Sequence, residues 1–150
     1  MKPLPQNTTA EWSFTASKTH AEPFNDVELN VCFAPADGGP AKRVPAFWAG
    51  GQEWRVRFAA SATGSYRFRT ECSDATDTGL HGREGSFKVV AYKGKNPLFR
   101  HGPVQVAANR RHFAHTDGTP FFWLGDTWWM GLCHRLHWPD EFKQIGRAHV

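Results

Sequence analysis

Glu53-Trp54-Arg55-Val56-Arg57-Phe58 and, after a turn at Thr63-Gly64, Ser65-Tyr66-Arg67-Phe68-Arg69-Thr70 decide the fold. Apolar and charged residues alternate with a period of two. In an extended strand that period puts the aromatic and aliphatic side chains on one face and the arginines on the other. The pattern predicts half-buried antiparallel strands, with the arginines on one solvated sheet face near Glu53 and Glu71.

Working outward, the same period recurs. Residues 27–33 place Val27, Leu29, Val31 and Phe33 inward, with Glu28, Asn30 and Cys32 on the other side. Residues 11–17 form a short strand with Trp12 and Phe14 on one face. Asp37-Gly38-Gly39-Pro40 is a turn, residues 44–49 are the next strand, and Gly50-Gly51 leads into residues 52–58. A loop rich in Asp, Thr and Gly spans 73–85, and residues 86–92 close the series. Short strands at this spacing predict two packed antiparallel sheets, an all-β immunoglobulin-like sandwich over residues 1–95. Its expected core includes Val31, Phe33, Trp54, Val56, Phe58, Phe68 and Phe87. Fourteen Gly and ten Pro favour turns over long helices, and seven Trp and twelve Phe suit sheet cores and sugar-stacking surfaces alike.

Composition narrows the function classes. The formal charge is +4, and no nucleic-acid-binding motif accompanies it, so nucleic acid is not an expected partner. No run of about 18 apolar residues is present, so no membrane-spanning helix is expected. The start, Met1-Lys2-Pro3-Leu4-Pro5-Gln6-Asn7, has no hydrophobic signal core. If Met1 is the true start, the protein is cytoplasmic; otherwise it is secreted or periplasmic. Cys32, Cys72 and Cys133 form no C-x-x-C pair; they read as free thiols, with a Cys32–Cys72 bridge as the alternative.

After residues 96–103, read as a linker, the pattern changes. Residues 112–115, the turn Asp117-Gly118, and residues 120–124 read as a hairpin. Phe121-Phe122-Trp123-Leu124 is apolar on both faces, as in a buried parallel strand. Gly125-Asp126-Thr127 ends that strand. Trp138-Pro139-Asp140-Glu141 looks like a helix start, with the two acids as first-turn residues. His134 and His137 lack a patterned third ligand, and Asp74 and Asp77 match a calcium loop only weakly, so no metal or cofactor is expected. Ile145-Gly146-Arg147-Ala148-His149-Val150 looks like a translated sequencing adapter, which would make the chain a fragment from a metagenome.

Two stretches carry a resemblance. Phe47-Trp48-Ala49-Gly50-Gly51, residues 54–58, Gly64-Ser65-Tyr66-Arg67-Phe68, Gly79-Leu80-His81-Gly82 and Gly85-Ser86-Phe87 resemble a β-sandwich domain of unknown function that precedes many bacterial glycoside-hydrolase barrels. His112-Phe113 and Asp117 through Trp129 resemble the opening of the apiosidase-like barrels, similar to glycoside hydrolase family 140. The resemblance implies a (β/α)₈ barrel of about 250 residues, of which residues 104–144 would be the truncated start. It implies hydrolysis of glycosidic bonds in a polysaccharide, with the catalytic carboxylates on later strands and none of them in this chain. The remaining substrate-binding candidates are Asp126, Trp128 and Trp129, at the C-terminal end of the first barrel strand. Asp126 would accept hydrogen bonds from sugar hydroxyls, and one of the two Trp would stack on a sugar ring. The plainer alternative has Asp126 capping the turn and the Trp pair in the core. For the sandwich, a spacer that orients the barrel is expected first. A glycan-binding module using Trp48 and Trp54 comes second, and exposure of Trp48 separates the two.

Overall fold

The computed structural model describes residues 2–125. In chain order it contains β1 (Leu4–Pro5), β2 (Ala10–Thr15), α1 (Pro23–Asp26), β3 (Leu29–Pro35), β4 (Lys42–Pro45), β5 (Phe47–Gly50), β6 (Glu53–Phe58), β7 (Gly64–Cys72), β8 (Glu84–Val90), α2 (Pro97–His101), β9 (Val104–Val106), β10 (Phe113–His115) and β11 (Pro120–Phe121). A five-stranded sheet runs β1-β8-β7-β3-β4 and a three-stranded sheet runs β2-β6-β5. They pack face to face on one core cluster. A second three-stranded sheet, β11-β10-β9, follows in the chain. No helix among the described residues is long and apolar enough to cross a membrane.

The period-2 reading accounts for the core. All seven residues expected there are buried, with Val31 and Val56 at 0% exposure. The two sheets meet through aromatic rings. Phe33 of the larger sheet stacks on Phe58 of the smaller one, with centroids 4.2 Å apart and planes 3° from parallel. Trp12 inserts between the sheets, 5.1 Å from Phe33, 6.1 Å from Phe68 and 5.0 Å from Phe87. Each such pair adds roughly 0.5–1.5 kcal/mol beyond its buried area. The Trp12 indole N–H is buried without a hydrogen-bond partner among the described residues, which offsets part of that gain.

The arginines do not share one face. Arg55 and Arg57 stand outside the smaller sheet and both reach Glu11, at 3.3 and 2.7 Å. Arg69 stands outside the larger sheet, 3.4 Å from Glu84, and Arg43 lies 3.8 Å from Glu71 on the same sheet. The reason is topological. The chain changes sheets between β6 and β7, each strand keeps its apolar side toward the shared core, and the charged sides therefore point in opposite directions. These exposed pairs are worth at most about 1 kcal/mol each.

Two further departures concern the sheet edges. The single strand expected over 44–49 is divided: β4 pairs with β3, and β5 pairs with β6 in the other sheet. Pro45, which cannot donate to a ladder, is the last residue of β4, and Ala46 N–H turns inward to the Leu29 carbonyl at 2.8 Å. At the other edge, β1 pairs in parallel with β8 through Leu4↔Val89 and Pro5↔Val90. A two-residue strand containing proline has no period to read. Among the described residues, Cys32 and Cys72 are free. Cys72 faces the core opposite Leu29, whereas Cys32 sits opposite Arg69 on the outer face, so a bridge between them is geometrically closed. Burial pushes both thiols up, with the Glu71 charge adding to the shift at Cys32.

Removing the inter-sheet stack is expected to be costly. Phe33→Ala should lower unfolding stability by about 3–5 kcal/mol, read as a shift in the urea midpoint, while Arg57→Ala should change it by less than about 1 kcal/mol.

Candidate functional site

The strand that leads toward the expected site starts from a well-defined hairpin. β10 pairs with β9 and β11, with Phe113 opposite both Val106 and Phe121. Gly118 takes φ of 88° in the turn, where a side chain would be strained. Asp117 accepts hydrogen bonds from Thr119 N–H at 2.9 Å and from His101 Nδ1 at 2.7 Å. The Thr119 amide first, and His101 second, hold its carboxyl down at about 2. The buried His115 donates from Nδ1 to the Gly102 carbonyl at 2.6 Å. Regular pairing stops at Phe121, not at Leu124 as the apolar run predicts. Phe122, Trp123 and Leu124 are 84%, 68% and 64% exposed. A strand buried on both faces needs neighbours on both edges, and among the described residues β11 has one neighbour, β10. Asp126, Trp128 and Trp129 lie outside the described residues, as do Cys133, His134, His137, Asp140, Glu141 and the 145–150 segment.

A second candidate lies at the side of the sandwich, in a groove of about 500 Å³ between α1 and β5. Trp54, opposite Trp48 in the ladder, is buried at 3% and belongs to the core rather than to a platform. Trp48 is 37% exposed, and its indole N–H donates to the Gly51 carbonyl at 2.9 Å, which fixes the ring. Phe24 is 76% exposed on the far wall. Phe47 borders the groove, with the Arg57 guanidinium 5.0 Å over its ring. Phe24 escaped the sequence reading because Glu22-Pro23-Phe24-Asn25-Asp26 has no period. The signal available was a lone aromatic in a polar segment that follows proline.

The 73–85 loop is anchored rather than free. Asp77 is fully buried. Its Oδ1 accepts from Ser17 N–H, Ser17 Oγ and Gly79 N–H at 2.9, 2.8 and 3.0 Å, and its Oδ2 lies 3.0 Å from His20 Nε2. Burial alone pushes this carboxyl up; the bonds from His20, Ser17 and Gly79 outweigh it and hold the group well below the usual carboxylate range. Serine, aspartate and histidine are thus together, but the carboxylate stands between the other two. In this arrangement His20 has no hydrogen bond to the Ser17 hydroxyl and cannot serve as its base, so the cluster is a clamp rather than a nucleophilic triad. Asp74 is spent on Thr76 and Lys18, and no group of three or more metal-ligating side chains occurs among the described residues. Gly79 is required here: a Cβ would fall 2.1 Å from the Thr15 carbonyl.

Comparison with known proteins bears on the hairpin and the sandwich together. The family model described as "Domain of unknown function (DUF5060)" matches residues 4–73, and the model described as "Apiosidase-like, catalytic domain" matches residues 107–145. The chain is therefore similar to DUF5060 sequence in its first half and to apiosidase-like sequence near its end. A solved structure titled "putative glycoside hydrolase", from Bacteroides vulgatus ATCC 8482, is 29% identical with a TM-score of 0.66. The similarity covers 81% of this chain and 22% of that one, so the chain spans about a fifth of its structural relative. No curated protein matches. The DUF5060 match ends just after β7, whereas the sheet itself continues through β8, so the Asp77 clamp and the last core strand lie beyond it.

The clamp yields a pH-dependent expectation. A carboxyl depressed in the folded state contributes stability that is complete above its unfolded pKa of about 3.9 and is lost as pH falls below that value. Asp77→Asn should therefore cost about 1.5–3 kcal/mol at pH 7 and flatten the acid limb of the stability profile. Urea unfolding between pH 2 and 7 measures both effects. An unchanged acid limb in the variant would assign the limb to other carboxylates.

Proposed function

We propose that this chain supplies the accessory sandwich and the first barrel strand of a glycoside hydrolase that acts on polysaccharide glycosidic bonds. The observation that carries the reading is the apiosidase-like match over 107–145, which begins just after β9 and takes in the hairpin of β10 and β11. On this reading residues 1–95 are an immunoglobulin-like sandwich, 96–103 a linker, and 104–144 the start of a (β/α)₈ barrel, with 145–150 an adapter remnant. Barrel active sites form at the C-terminal ends of the strands. On this reading Asp126, Trp128 and Trp129 lie at the edge of the sugar site, Asp126 accepting from hydroxyls and one indole stacking on a ring.

The chemistry needs two carboxylates across the scissile bond, about 5–5.5 Å apart for retention or 6.5–9.5 Å for inversion. They belong to later strands, so this chain alone binds no transition state. The sandwich serves to orient the barrel. Asn7, at φ of 64° between β1 and β2, donates from Nδ2 to the Phe99 carbonyl of α2 at 2.8 Å. At Gly102, φ of 80°, a Cβ would fall 2.5 Å from Thr116 Oγ1, while the Asn7 side chain lies in ordinary contact. The linker is thereby tied both to the sandwich and to the hairpin.

The test is enzymatic. The isolated chain should show no turnover of aryl glycosides. In a longer protein that continues the chain through the remaining strands, Asp126→Ala should lower kcat/KM by roughly 10- to 100-fold, the loss of one or two good hydrogen bonds to substrate. Turnover by the isolated chain that Asp126→Ala abolishes would overturn the reading.

A further inference from the structure

We infer that the groove between α1 and β5 is a binding site for a neutral glycan, separate from the barrel. Four observations converge on it. First, two aromatic side chains that a sandwich core would normally absorb, Phe24 and Trp48, stand exposed on the same concavity. Trp48 is held in place by its bond to Gly51, so its face is set before any ligand arrives. Second, the groove measures about 500 Å³, within the range of roughly 300–1,000 Å³ common to small-ligand sites.

Third, the rim carries the groups that sugar hydroxyls need. Asn25, Asp26 and Glu28 line it and are exposed. Asp26 uses Oδ2 for the Glu22 N–H and Glu28 uses Oε1 for Asn30 Nδ2; among the described residues the other oxygen of each carboxylate has no protein partner. An aromatic face beside acceptors matches a pyranose, whose C–H face is apolar and whose edge is a row of hydroxyls.

Fourth, charge selects among glycans. Asp26 and Glu28 are the only ionisable side chains lining the groove, and no Lys or Arg lines it. Uronate-bearing chains are repelled and neutral chains are not. The choice of carbohydrate as the ligand class rests on the glycoside-hydrolase reading above; the position and the charge preference rest on the groove itself.

The groove also lies away from the hairpin. Trp48 pairs with Trp54, four residues along β6 from Phe58, while the hairpin side of the sandwich is marked by Asn7 bonding to Ala60. Four residues of strand are about 13 Å. A glycan held there approaches the sandwich from the side, clear of the strand that leads to Asp126.

Isothermal titration of the full 150-residue chain with cellohexaose, xylohexaose, mannohexaose and hexagalacturonate tests the inference. Saturable binding of at least one neutral hexasaccharide is expected, with hexagalacturonate at least tenfold weaker. Trp48→Ala and Phe24→Ala should each weaken binding tenfold or more. Phe24 is mostly solvent-exposed, so its variant should retain the parent circular dichroism and urea midpoint, which separates lost binding from lost folding. Trp123→Ala, an exposed tryptophan outside the groove, should bind as the parent does. Three results would overturn the inference: no binding of any neutral hexasaccharide, equal or tighter binding of hexagalacturonate, or binding that survives Phe24→Ala and falls with Trp123→Ala. The first would leave the barrel reading intact, since that stands or falls on turnover in the longer protein.

Discussion

The structure depends on the contact between two sheets, and that contact is aromatic. Phe33 on Phe58, with Trp12 wedged among Phe33, Phe68 and Phe87, fixes how far apart the sheets sit and which way each strand faces. A one-residue slip in any of these strands would turn its apolar row to solvent and its arginines inward. Burying an unpaired guanidinium costs far more than any surface pair returns. The Glu11 bridge to Arg55 and Arg57 is therefore a consequence of the register and not its cause.

Most of the sandwich was legible because its strands are buried on one face only. β2, β3, β6 and β7 each carry three or more apolar–polar repeats and β8 carries two, and their inward residues follow from that alone. The illegible parts are those in which a different constraint acts. β1 contains proline and two residues. The corner at Pro45-Ala46 divides one apparent strand between two sheets, and nothing in the alternation marks a change of partner sheet. For the arginines, period fixes a residue's side of its own strand, whereas the side of the molecule depends on pairing order. Pairing order is a long-range property and leaves no local trace.

The candidate sites were less legible for a related reason. Asp77 looked like one of several acids in a polar loop. Its role comes from Ser17, His20 and Gly79, and the first two are about sixty positions away in the chain. Phe24 and Trp48 are 24 residues apart and come from unlike elements. Only the sandwich edge brings them to one groove. Asp126, Trp128 and Trp129 come from resemblance to a motif, not from periodicity, and they fall within the apiosidase-like match.

The same geometry would let one small domain carry both proposed tasks without conflict. A β-sandwich has two ends and two open edges, and its core is insulated from what happens at any of them. Here the Asn7 end is committed to the linker and the hairpin, through the Phe99 carbonyl and the close packing at Gly102. The Asp77 clamp closes the opposite end by pinning the 73–85 loop to the segment that follows β2. What remains available is the lateral edge where β4 gives way to β5. At that corner the two sheets part, the chain no longer supplies a cover for Trp48, and α1 places Phe24 across the gap instead of a further strand. The edge is open because the strand had to change sheets, so the topology that closes the core is also what exposes the aromatic groove.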